Sequence, residues 1–86
     1  MARKELRIAE FYAGRGKFGA ASLRLEAMLR SYPDATDADH AVALLAHCRI
    51  RLGDVEAAAV LRDRLQADYP ESRWNRWLVF KSRRVW

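Results

Sequence analysis

The sequence predicts an all-α fold of about five helices, paired into tandem hairpins within a single domain, residues 1–86. Three observations carry that expectation. A pattern recurs at an offset of 37: Gly16-Lys17-Phe18 is echoed by Gly53-Asp54-Val55, Ala20-Ala21 by Ala57-Ala58, Met28 by Leu65, and Tyr32-Pro33-Asp34 by Tyr69-Pro70-Glu71. A shared offset over so many positions marks a repeated supersecondary unit. Apolar residues also recur with helical spacing along most of the chain. Finally, fifteen Ala stand against four Gly and two Pro, which favours helices over strands.

Each element has its own local reasons. Residues 3–14 place Leu6, Ala9 and Ala13 on one stripe, and Ile8, Phe11 and Tyr12 widen it, so the first helix is expected to be buried on two sides. Gly14 and Gly16 supply the positive φ that ends a helix and turns the chain. The second helix, residues 17–31, carries Phe18, Ala21, Leu25, Met28 and Leu29 on one face and stops before Pro33. Thr36 or Asp37 can cap a third helix, about 37–52, with Ala38, Ala41, Val42, Leu45 and Ala46 inward. Gly53 ends it, and Asp54 caps a fourth, about 54–68, with Val55, Ala58, Leu61 and Leu65 inward. Ser72 caps a short fifth helix from about 73 to 83. The divisions that follow are repeat one, about 3–33; repeat two, about 37–70; and a basic capping helix, about 72–84. Small alanines at the crossings let antiparallel helices approach closely.

Composition excludes several classes. Hydrophobic residues at 51% and charged residues at 31% give an ordinary globular balance. The single cysteine, Cys48, rules out an intramolecular disulfide framework. No apolar run approaches the roughly 20 residues of a membrane-spanning helix, and residues 1–20 lack the apolar core of a signal peptide. The formal charge of +5 is one-sided. Residues 1–72 hold eleven basic and eleven acidic side chains, whereas Arg73, Arg76, Lys81, Arg83 and Arg84 share the last fourteen residues with no acid and with Trp74, Trp77 and Trp86.

The repeat resembles the tetratricopeptide type. In repeat one, Ala9, Tyr12, Gly16, Ala21, Leu25 and Pro33 fill the places of that pattern. In repeat two, Ala46, Gly53, Ala58, Leu65 and Pro70 do so, while Arg49 and Arg62 stand where an aromatic and a large apolar residue are usual. The resemblance implies a short right-handed solenoid. More narrowly, Glu5-Leu6-Arg7-Ile8-Ala9-Glu10-Phe11-Tyr12, Arg15-Gly16-Lys17-Phe18, Ala20-Ala21, Arg24, Tyr32-Pro33-Asp34 and Tyr69-Pro70-Glu71-Ser72-Arg73-Trp74 are similar to the C-terminal repeats of the BamD family of outer-membrane lipoproteins. That resemblance implies a C-terminal piece of a longer lipoprotein, a place on the periplasmic face of the outer membrane, and protein partners among the β-barrel assembly subunits. The Arg/Trp tail has no counterpart in the family pattern.

The residues offer no catalytic constellation. His40 and His47 lie about 10 Å apart along one helix, too far to share a metal, and His47 and Cys48 point about 100° apart. They read as polar groups on a helix surface beside a small thiol. The glycines lie between helices and not after a strand, so they form no phosphate loop. The expectation is a non-enzymatic scaffold without cofactor, metal or small-molecule substrate, its candidate contact residues being Tyr12, Arg15, Arg24, Arg49 and Arg62. In the tail, Trp74, Trp77 and Leu78 are expected to cover the last hairpin, with Val85 on the same stripe. Arg73, Arg76, Arg83 and Arg84 are the further candidates for contact with an acidic partner, anionic lipid or nucleic acid, the last being the weakest reading because the body carries no recognition motif. Structural roles fall to Gly16, Ala21, Pro33, Gly53, Ala58, Pro70, Trp74 and Trp77. Two repeats leave the first helix open on one side, so self-association or a swapped dimer through residues 3–31 is expected.

Overall fold

Residues 2–86 of the computed structural model form five α-helices: α1 (Ala2–Gly14), α2 (Phe18–Ser31), α3 (Ala38–Arg51), α4 (Val55–Asp68) and α5 (Arg73–Ser82). Their boundaries fall within one residue of those the sequence predicts, because the stop signals act locally and act twice. Gly16 (φ 77°) and Gly53 (φ 86°) hold the positive φ that closes each hairpin. Around Gly16, the Lys17 N–H donates to the Tyr12 carbonyl at 2.9 Å and the Gly16 N–H to Ala13 at 3.0 Å. Around Gly53, Asp54 donates to Arg49 at 2.8 Å and Gly53 to Ile50 at 3.0 Å. These paired bonds satisfy the free carbonyls at each helix end in the same way. Gly14 differs from expectation: it ends α1 in ordinary helical conformation, and the left-handed step belongs to Gly16.

The second ends repeat as closely. Tyr32 and Tyr69 share φ −135° with ψ 61° and 60°, and their N–H groups bond back to Met28 and Leu65. Each precedes a proline, Pro33 or Pro70, whose ring pushes the residue before it out of the helical region. Asp54 caps α4 by accepting from the Ala57 N–H at 3.1 Å, and Ser72 caps α5 by accepting from Trp74 at 3.1 Å. Asp37 occupies the cap position of α3, but neither it nor Thr36 supplies the expected side-chain cap. The Asp37 carboxylate turns instead to Arg3 at 3.4 Å, an ion pair between α1 and the loop before α3.

The core gathers around α3. Ala38, Ala41 to Ala46 and Cys48 are all buried, so this helix is apolar nearly all round and must be covered on most sides. It packs against α2, α4 and α5 and touches α1. Ala21, Leu25, Met28, Ala58, Leu65 and Leu78 meet no solvent or almost none. Burial pushes the Cys48 thiol up to about 11, against the opposing effects of the Ser22 hydroxyl and Arg49. Three inward assignments fail. Phe11 is 56% exposed, so α1 buries one side only, through Leu6 and Ala9; Val55 and Val85 are exposed as well.

The repeat breaks at α5. In the first half α3 lies closely along α2, whereas α5, the next helix in the series, lies mainly on α3 and barely meets α4. Leu25 on α2 is fully buried, and its equivalent 37 positions on is Arg62, which is only half-buried. An arginine cannot take a leucine's place under a packed helix without a charge partner inside. The apolar seat on α4 is therefore missing, and α5 leans toward α3.

The turn glycines give a sharp contrast. Gly16→Ala and Gly53→Ala are each expected to destabilise the fold by about 1–2 kcal/mol, because alanine must adopt the left-handed region. Gly19 lies inside α2 with open space where a Cβ would go. Gly19→Ala is expected to stabilise by about 0.5–1 kcal/mol. Urea midpoints of the three variants check both signs.

Candidate binding cleft

The packing of α5 on α3, beside the end of α1, builds a cleft. On α3, His40, Leu44 and His47 fall at i, i+4 and i+7, one stripe of the helix. On α5, Trp74, Trp77 and Lys81 form the facing stripe, and Glu10, Ala13 and Gly14 of α1 close the third side. Together they line a cleft of about 350 Å³ with α3 as its floor.

Aromatic contacts hold the two stripes together. His40 stacks on Trp74 with ring centroids 3.7 Å apart and planes 7° from parallel. His47 meets Trp77 edge-on at 5.6 Å and Phe18 edge-on at 5.9 Å. Trp74 and Trp77 are themselves perpendicular, 5.4 Å apart at 76°. At the start of α5, the Ser72 hydroxyl donates to Asp39 at 2.7 Å, which ties the cap of one helix to the first turn of another. The Asn75 amide donates to the carbonyls of Tyr69 at 2.7 Å and Ser72 at 3.2 Å and fixes the link between α4 and α5.

The two histidines differ electrostatically. Burial lowers the His40 pKa, while Glu10, Asp37 and Asp39 oppose that shift and Arg73 adds to it. Burial lowers the His47 pKa too, but here Lys81 and Arg51 add to it and no acid opposes. The Nδ1 atom of His47 is buried without a hydrogen-bond partner. Both rings are thus held neutral at pH 7, and His47 has no anion nearby to accept a proton's charge. The cleft lining mixes apolar and polar groups in about equal share and includes the Glu10 carboxylate and the Lys81 ammonium. Such a surface can take an extended segment by apolar contact along the wall and by charge pairing at each end.

The residues singled out from sequence do not converge on this cleft. Tyr12 is half-buried against the core and sits edge-on to Phe11, whose ring lies under the exposed Arg15. Arg24 pairs with Glu5 of α1 at 3.5 Å, and Arg49 pairs with Glu26 of α2, so both tie neighbouring helices together. Arg62 pairs with its neighbour Asp63 and lies over the Trp86 ring at 4.4 Å. Arg73 lies over Trp74 at the lip of the cleft, whereas Arg76, Arg83 and Arg84 are exposed on the far side of α5 and in the tail. Trp74, Trp77 and Leu78 do cover an apolar face, but it belongs to α3. The spacing of His40 and His47 places them two turns apart on one face, but that face is covered in part by Trp74 and Trp77 of α5 and is not the plain helix surface expected.

Antiparallel hairpins at a fixed offset, with a cleft lined by the first helix of each, define an all-α helical-repeat protein. Within that class, the chain belongs to the YfiO family of outer membrane lipoproteins, whose family model matches residues 1–65. The match stops before α5. No curated protein and no solved structure matches the chain significantly.

The lowered histidine pKa values set a pH dependence. As pH falls, histidines in the unfolded chain take up protons near their ordinary value of 6.5, before those in the folded chain do. The unfolded state then binds more protons, and stability falls as pH drops from about 7 to 5. His47→Gln is expected to flatten this dependence more than His40→Gln, because only His40 has carboxylates to accommodate its charge. Urea midpoints at the two pH values make the comparison.

Proposed function

We propose that the chain is a non-enzymatic protein–protein interaction scaffold of outer-membrane protein assembly, working on the periplasmic face of that membrane. The observation that carries this reading is the cleft between α1, α3 and α5, which presents indole, imidazole and leucine side chains between Glu10 and Lys81. Membership of the outer membrane lipoprotein family supports it. A partner segment, most directly one from a β-barrel assembly subunit, lies along the Trp74–Trp77 wall with a cation toward Glu10 and an anion toward Lys81. Arg73, over the Trp74 ring, extends that contact, whereas Tyr12 and Arg15 lie on another side of α1. Arg24 and Arg49 act chiefly as ties between helices. Self-association through residues 3–31 remains part of the reading, carried by exposed Phe11 on the open side of α1.

Photo-crosslinking tests the assignment. A photoreactive side chain at Glu10 or Lys81 is expected to crosslink a β-barrel assembly subunit when the chain is mixed with the solubilised machinery. The same group at Val60, exposed on the outside of α4, is expected to give no such product. Crosslinks from Val60 alone, or from none of the three positions, overturn the reading.

A further inference from the structure

The far side of α5 is a second surface, separate from the cleft and beyond the family match. Arg76, Val79, Phe80 and Arg83 recur at i, i+3, i+4 and i+7 and form one exposed stripe. Phe80 is 60% and Val79 56% exposed, and Arg84, Val85 and Trp86 extend the same mixture past the helix end. Residues 73–86 carry five cations and no acid, while residues 1–72 sum to zero. The net charge of the chain therefore lies where its exposed aromatic and aliphatic side chains interleave with guanidinium groups.

We propose that this face of α5 and the tail dock on an anionic phospholipid bilayer surface. Val79, Arg83 and Trp86 border a shallow recess of about 300 Å³ against Arg62, Asp63 and Gln66 of α4, while Phe80 stands clear of it and projects outward. A bilayer interface accepts such side chains without shape complementarity, and its phosphates pair with the arginines around them. Long arginine stems lie along the interface while the guanidinium stays at headgroup level. Nucleic acid fits less well, because base stacking needs free ring faces. Arg83 lies over the Phe80 ring at 5.2 Å and Arg62 over the Trp86 ring at 4.4 Å, so one face of each exposed ring is already taken by a cation. An acidic protein would pair the cations but leave Val79 and Phe80 without a role.

Vesicle co-sedimentation decides between these. The chain is expected to bind vesicles of mixed phosphatidylglycerol and phosphatidylcholine and to leave pure phosphatidylcholine vesicles unbound. Each Lys or Arg near the surface is worth about fivefold in affinity, so Arg76→Ser, Arg83→Ser and Arg84→Ser together should weaken binding about a hundredfold. Phe80→Ser, with every charge kept, should weaken it severalfold and make the remainder more salt-sensitive. All these positions are exposed, and unchanged circular dichroism confirms that the variants fold. Equal binding to neutral vesicles overturns the proposal. So does full binding by Phe80→Ser with heparin displacing the chain, which marks a nonspecific polycation site for acidic macromolecules.

Discussion

A helix that is apolar nearly all round has to be covered nearly all round, and in this chain that helix is α3. Its alanines, leucines, Val42 and Cys48 are buried on most sides, and only the stripe of His40 and His47 opens to the cleft. Every other element is placed by that requirement. α4, its hairpin partner, and α2 of the preceding hairpin flank α3, α1 packs on α2 and touches α3, and α5 closes a further side. Small side chains at Ala41, Ala43 and Ala46 permit the close approach that burial of a central helix requires. A chain of 86 residues has little apolar area to spare. Concentrating it around one helix is what lets so short a stack hold together.

The repeat supplies the scaffold, and its departures supply the surfaces. Where repeat one has Tyr12 and Leu25, repeat two has Arg49 and Arg62. Arg49 replaces aromatic packing by an ion pair with Glu26. Arg62 removes the apolar seat for a following helix, so α5 settles on α3 through Leu78 and the His–Trp contacts. That displacement opens the cleft on one side of α5 and leaves Val79 and Phe80 uncovered on the other. The apolar face that α2 offers through Leu25 and Leu29 becomes Arg62 and Gln66 on α4, and both candidate interaction surfaces involve the helix that follows. The charge follows the same logic, since a helix that is not buried on its outer face can carry arginines at no desolvation cost.

Much of the fold was legible because its signals are local. Positive φ at Gly16 and Gly53, the backbone restriction before Pro33 and Pro70, and the caps at Asp54 and Ser72 depend only on residues a few positions away. The cap expected at Thr36 or Asp37 is absent: Asp37 sits at φ −99° and ψ 15°, outside the extended region of a capping residue, and its carboxylate pairs with Arg3. The exposure of Phe11 and Val55 was hidden for a related reason: helical periodicity says which side chains share a face, not whether another helix arrives to cover it. The cleft was less legible still. His40 and His47 could be placed on one face from their spacing, but their partners, Trp74 and Trp77, lie 30 or more residues away across a crossing that follows from the tilt of α5. The local sequence marks that placement only by loss, since Leu25 and Leu29 of α2 become Arg62 and Gln66 on α4.

The account rests on α3 as the element that all others cover. Native-state hydrogen exchange tests this most directly. Amides of residues 41–48 should exchange only through global unfolding and should be the slowest in the chain, while those of α1 and α5 should exchange through smaller openings. Exchange in α3 as fast as in α1 or α5 would contradict the claim that the fold, and the cleft built on it, depend on the burial of that helix.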